Sequence, residues 1–143
     1  MNTKATVLYV NENSKSLRLL GSILEDCGFA VKTAAAPWAA LELIHTHSLD
    51  LVLLNYQLPE MTGAQLAQEI RGLDSSLPII LMSGLPSLPA GELAYVDAHI
   101  GRESSIEDLT HLMQELANHD RATIQPLDTA LHRMSPLSVS SSR

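Results

Sequence analysis

Short apolar runs alternate along the chain with longer stretches in which apolar residues recur every three or four positions, and polar, glycine- or proline-bearing links separate them. Thr6 to Val10 is apolar and β-branched and reads as a strand, followed by Asn11 to Lys15, a polar loop able to cap a helix. From Ser16 to Cys27 the residues Leu17, Leu20, Ile23 and Leu24 keep helical spacing, and Gly28 is a natural helix stop. Phe29 to Thr33 predicts a second strand, and Ala36 to His45 a second helix with Ala39, Ala40, Leu43 and Ile44 as its apolar stripe. Leu51 to Leu54 is apolar without alternation, as expected of a parallel strand covered on both faces, and Asp50 marks its entrance.

Pro59 and Gly63 punctuate a loop, Ala64 to Arg71 is helical up to Gly72, and Pro78 to Met82 forms a fourth strand. Pro86 and Pro89 then confine any helix to about Ala90 to Val96. Ala98 to Gly101 fits a short fifth strand. Ser105 to Ala117 is a last helix, with Ile106, Leu109, Leu112, Met113 and Leu116 on one side, Ser105 as cap, and Glu107 and Asp108 at its positive end. Such alternation with short links predicts one α/β domain whose parallel sheet carries helices on both faces. The domain is expected over residues 1–118. The remainder, 119–143, has the composition of a largely disordered tail, with room for a short helix around Asp128 to Met134.

Composition narrows the function classes. A chain of 143 residues, 45% hydrophobic, buries one ordinary core. Net charge is −7; because the tail holds Arg121, Arg133 and Arg143 against Asp120 and Asp128, the part before it has 14 acids against 6 bases, a net −8. With no basic cluster, direct nucleic-acid binding is not expected. The single cysteine, Cys27, permits no internal disulfide and points to a reducing compartment, with the cytoplasm the best fit. It reads as a small core residue rather than a reactive thiol. No apolar run approaches a membrane span or a signal-peptide core. The histidines show no zinc-ligand spacing, and no nucleophile elbow, Walker loop or dinucleotide fingerprint is present, so a non-enzymatic role is expected.

Four landmarks along the βα repeat carry a family resemblance. They are Asn11-Glu12 after the first strand, Asp50 to Gly63 with Asn55 at the tip of the third, Ser83-Gly84 after the fourth, and His99 with Arg102-Glu103 around the fifth. Over roughly Ala5 to Ala117 the chain resembles the receiver domains of two-component response regulators. That resemblance implies a flavodoxin-like, doubly wound, five-stranded parallel sheet. It also implies that Asn11 and Glu12 fall on the family's magnesium-holding acidic pair, Asn55 on the phosphate-accepting aspartate, and Ser83 on the hydroxyl that contacts the phosphoryl group. His99 falls on the switch aromatic, and Arg102-Glu103 on a Lys-Pro step.

Those departures sit on the reactive positions. Phosphoryl transfer to a receiver needs a carboxylate nucleophile with a metal and a cation around the transferring group. A carboxamide at Asn55 supplies neither charge nor nucleophile. Glu12 is the only retained carboxylate, so no magnesium site and no other cofactor is expected, although weak magnesium binding through amide oxygens is compatible with the set. Arg102 keeps a positive charge in a planar fork suited to carboxylates, and a permanent pair with Glu12 would lock the pocket.

The leading expectation is a pseudo-receiver: a phosphorylation-independent interaction or regulatory module whose partners are proteins, such as a histidine kinase, another regulator or a second copy of itself. Two alternatives stand beside it. One is a receiver phosphorylated elsewhere, at Ser83, at a nearby acid or at a deamidated Asn55. The other is a small-ligand module using the crevice at the strand ends, lined by Asn11, Glu12, Asn55 and Ser83. Simpler roles also fit. Asn55 and Ser83 can satisfy local backbone groups, His99 can pack half-buried, and Trp38 can lie on the surface or anchor a partner.

Overall fold

A computed structural model describes residues 4–118, except 86 and 102. The element order is β1 (Thr6–Val10), α1 (Ser14–Asp26), β2 (Ala30–Ala34), α2 (Pro37–Thr46), β3 (Leu51–Asn55), α3 (Gly63–Leu73), β4 (Ile79–Ser83), a 3-10 turn (Ala90–Leu93), β5 (Ala98–Gly101) and α4 (Ile106–Asn118). All five strands are parallel and their order is β2-β1-β3-β4-β5. This is the doubly wound, flavodoxin-like arrangement, with the chain reversing direction across the sheet between β1 and β3.

The two-residue side-chain period of each strand divides the core into two layers. Leu8, Val10, Val52, Leu54, Ile79 and Leu81 face α2 and α3, where Ala40, Leu66, Ala67 and Ile70 meet them. Val7, Tyr9, Leu51, Leu53, Ile80, Ala98 and Ile100 face the opposite layer, built by Leu24 of α1 with Leu109, Leu112, Met113 and Leu116 of α4. The middle strands are apolar on both faces because both faces are covered.

Local chemistry sets the helix ends. Asn13 caps α1 by accepting from Ser16 N–H at 2.9 Å. Thr62 and Gln65 form a reciprocal capping box on α3, and Ser105 and Asp108 exchange the same pair of bonds at the start of α4. Gly28 takes a positive φ of 105° just past α1. At the other end of the sheet Arg71 joins α3 to two strands: it donates to the Leu77 carbonyl and pairs with Asp97 at 2.6 Å, and the same Asp97 oxygen accepts from Ile79 N–H.

Several expectations need correction. Cys27 is exposed, not a core residue, because it falls in the C-cap position, beyond the face that α1 turns to the sheet. The helix expected over Ala90 to Val96 is a single 3-10 turn, since Pro89 starts it and the chain must then return to Val96, which packs into the α2–α3 layer. β2 is displaced by one residue, and buries Phe29 just before its first residue. Ile23 is exposed although it keeps the helical spacing of α1. The tail 119–143, Pro86 and Arg102, and with Arg102 the expected pair to Glu12, lie outside the described residues.

One glycine is required by packing. A Cβ at Gly63 would stand 2.4 Å from the Asn55 carbonyl oxygen and 2.9 Å from Leu81 Cδ1, so α3 begins in direct contact with the tip of β3. Gly72, by contrast, has nothing within 4 Å of an added Cβ. Gly63→Ala should therefore cost about 1–3 kcal/mol in urea unfolding, whereas Gly72→Ala should be neutral or stabilise by up to about 1 kcal/mol. Equal effects of the two changes would contradict the packing.

Candidate functional site

The carboxyl ends of β1, β3 and β4 carry Asn11, Asn55 and Ser83, and Asn11 and Asn55 flank the point where the strand order reverses. Open α/β sheets place their ligand sites in this crevice. A cleft of about 170 Å³ joins Asn55, Tyr56 and Gln57 to Ser83, Gly84 and Leu85. Asn11, Glu12 and His99 do not line it.

Each of the three polar side chains closes a hydrogen bond inside its own loop. Asn11 is 8% exposed; its Oδ1 accepts from Asn13 N–H at 2.9 Å, and its Nδ2 donates to the hydroxyl of Tyr9 at 3.1 Å. Burial is the main influence on that Tyr9 phenol and raises its pKa above 10.0, against a smaller lowering from the Asn11 bond. Asn55 Nδ2 donates to the Gln57 carbonyl at 2.8 Å. Ser83 is 5% exposed, and its Oγ accepts from Leu85 N–H at 2.9 Å. Glu12 is exposed to solvent.

The loop after Asn55 is held at several points. Tyr56 N–H donates to the Met82 carbonyl at 2.8 Å, Gly63 N–H donates to the Tyr56 carbonyl at 2.7 Å, and Gln57 bridges Thr62. Glu60, inside the loop, has a φ of 70°, a left-handed conformation uncommon for a residue with a side chain. The Tyr56 hydroxyl donates to Glu92 Oε1 in the 3-10 turn at 3.0 Å, tying the loop to the β4–β5 connection. Desolvation, then the bond to Glu92 and its negative charge, raise the phenol above 10.0. Sequence reasoning passed over this tie, because nothing local links two residues so far apart along the chain.

His99 lies on β5 opposite Leu81, half-buried as expected, on the sheet face that looks toward the α2–α3 layer. Its Nε2 is buried with no hydrogen-bond partner among the described residues, and desolvation lowers its pKa below 6.5. Glu103 turns back over the end of the same strand, its carboxylate oxygen 3.3 Å from where a Gly101 Cβ would be. The structure thus brings Asn55 and Ser83 into one cleft, sets Asn11 at its side as a buried turn residue, and keeps His99 on the neighbouring edge strand β5.

The model of the response regulator receiver domain matches residues 7–100, more than half of the chain. The chain belongs to the response regulator receiver domain family. Receiver domains are signal-transduction modules, and this one is 26% identical to a CheY-like response regulator receiver domain protein from Methanospirillum hungatei JF-1, with a TM-score of 0.74 over 81% of this chain and 95% of that one. The signal receiver domain of an HD domain-containing protein from Pseudomonas fluorescens Pf-5, 22% identical, shares the fold with a TM-score of 0.77 over 84% of this chain and 99% of that one. Among curated proteins, "Probable transcriptional regulator ycf27" of Cyanidium caldarium is 34% identical over 79 residues, 55% of this chain and 31% of that protein. Sensor protein GacS of Pseudomonas syringae pv. syringae is 35% identical over 82 residues, 54% of this chain and 9% of its own length. This receiver therefore spans a third or less of these curated relatives, whose names include both regulators and sensors. No helix among the described residues is long and apolar enough to cross a membrane.

Two measurements check the site as a set of structural bonds. Asn11→Leu leaves the Asn13 N–H and the Tyr9 hydroxyl without partners and should cost about 1–3 kcal/mol, while Asn11→Asp, which keeps an acceptor for both, should recover most of that loss. Folding lowers the proton affinity of His99, so the unfolded chain binds its proton more tightly. Stability should thus be full above the ordinary imidazole value of 6.5 and fall as the pH drops below it. His99→Phe should flatten that part of the pH profile; an unchanged profile would show that His99 is not its source.

Proposed function

We propose that this receiver domain works as a pseudo-receiver, a protein-interaction module whose state is not set by aspartyl phosphate. The observation that carries the reading is Asn55 itself: at the tip of β3, beside Ser83 in the cleft, a carboxamide donates to its own loop at Gln57. The neutral amide cannot attack phosphorus to give an acyl phosphate. Its neighbours do not supply the missing charge, since Asn11 Oδ1 is already committed to Asn13 N–H and Glu12 is a lone exposed carboxylate.

Magnesium is the metal the family implies, and the residues present do not fit it. A small, hard cation held through charged oxygens calls for more than one carboxylate, and among the described residues no group of three or more histidine, cysteine or acidic residues is placed to hold a metal ion. A receiver from Thermotoga maritima, TrrA, 23% identical and similar in fold with a TM-score of 0.74, has been solved in complex with Mg(2+)-BeF. In this chain the corresponding step is omitted, and what remains is a rigid scaffold that presents surfaces to protein partners, in the reducing interior of a cell. Its partners are other signalling proteins, a histidine kinase or a regulator among them.

Intact mass after incubation with acetyl phosphate and magnesium tests this directly. The expected result is an unchanged mass at every donor concentration. A stable gain of one phosphoryl group would contradict the reading, and fragment masses that place it on Ser83 would favour displaced phosphorylation instead.

A further inference from the structure

The sheet ends at β2, and that edge is built differently from the rest of the surface. Ala30 N–H donates to the Ala5 carbonyl, and the Ala34 carbonyl accepts from Asn11 N–H. The even-numbered residues of β2 thus turn their polar backbone groups inward to β1, and Val31 and Thr33, between them, turn theirs outward from the sheet. Beside this free edge lies a groove of about 440 Å³ between α1 and β2, lined by Leu17, Arg18, Gly21, Ser22, Val31 and Thr33, with Glu25 as its one carboxylate.

Gly21 forms the floor of the groove. It stands in the middle of α1, where glycine costs about 1 kcal/mol relative to alanine. Packing does not demand it, because an added Cβ would meet only Val31 Cγ1 at 3.9 Å, an ordinary contact. What the glycine does is leave the groove open against β2. The charge at this corner is also unlike the acidic remainder. Among the described residues every lysine and arginine except Arg71, which is paired with Asp97, lies on α1, on β2 or just ahead of β1: Lys4, Lys15, Arg18 and Lys32.

We propose that the β2 edge and the α1–β2 groove bind an extended acidic segment of another protein, which adds a strand beside β2. Its backbone pairs with Val31 and Thr33, alternate small apolar side chains enter the groove above Gly21 on the α1 side, and the carboxylates between them fall on the opposite face of the sheet, where they meet Lys32. Strand addition of this kind draws affinity from main-chain hydrogen bonds and selectivity from the alternate side chains. A second copy of this chain is a poor occupant, because β2 carries Lys32 and no carboxylate, so pairing two β2 strands supplies no acid to meet that lysine. The surface is independent of Asn55, so it operates whether or not the cleft can be phosphorylated.

The test uses the full ¹⁵N-labelled chain and a capped ten-residue peptide that alternates valine with glutamate or threonine. Saturable shifts should be confined to the amides of Gly21, Ser22, Val31 and Thr33 and their neighbours, with slower hydrogen exchange at Val31 and Thr33. A peptide with lysine in place of glutamate should bind about tenfold or more weaker, as expected when favourable charge pairs become unfavourable. Gly21→Leu should abolish binding by filling the groove. As a variant that leaves α1 untouched, Lys32→Glu should reverse the preference toward the lysine peptide. Shifts that map elsewhere, equal affinity for both peptides, or dimerisation of the chain through β2 would each overturn the proposal.

Discussion

The carboxyl end of the sheet is organised by two side-chain amides that hydrogen-bond to groups close by in their own segments. At the ends of β1 and β3, where the strand order reverses, Asn11 and Asn55 spend their hydrogen-bonding groups on Asn13 N–H, the Tyr9 hydroxyl and the Gln57 carbonyl. Carboxylates crowded at such a place repel one another and need a cation; these amides do not. The crevice is therefore stable as a neutral, internally bonded surface. The consequence is chemical, because an amide offers no carboxylate oxygen to attack a phosphoryl group.

The same region is mechanically fixed. α3 begins on the Asn55 carbonyl because Gly63 has no side chain, the loop between them is pinned by Gly63 N–H and the Gln57–Thr62 bridge, and Tyr56 reaches across to Glu92. The β4–β5 connection, with one 3-10 turn and a pair of prolines, has little regular structure of its own. Its position instead depends on the Tyr56 bond and on Leu88, Leu93 and Val96, which pack against the α2–α3 layer. The domain thus ties its cleft to its β5 side through fixed contacts, with the half-buried His99 on that edge strand.

Much of this was legible in the order of residues. The unalternating run Leu51 to Leu54 predicted a strand buried on both faces, because a parallel strand between helical layers leaves a strong apolar signal, and Ala98 to Gly101 matched the short edge strand β5 end to end. The local roles of Asn55 and Ser83 as partners of nearby backbone were readable from residue type and place in the chain. Helix ends were less so: α1 starts at Ser14, two residues before the expected Ser16, because Asn13 caps it, and α3 gains Gly63 because Thr62 does the same. Cys27 misled because spacing counts turns without showing where the helix leaves the sheet. The tie from Tyr56 to Glu92, the bracket of Arg71 on Asp97, and the open floor at Gly21 are relations between distant segments, which periodicity does not encode.

The central claim is that the Asn11 and Asn55 amides remain bonded to their own loops whatever phosphoryl chemistry surrounds them. Their side-chain Nδ2 resonances, followed in a ¹⁵N spectrum while magnesium and then beryllofluoride are added, report on those bonds without requiring a covalent product. The account predicts that both pairs of signals stay in place through millimolar magnesium with or without beryllofluoride. A saturable shift of the Asn55 amide, accompanied by the Ser83 backbone signal, would contradict it and return the cleft to the phosphoryl-binding receivers.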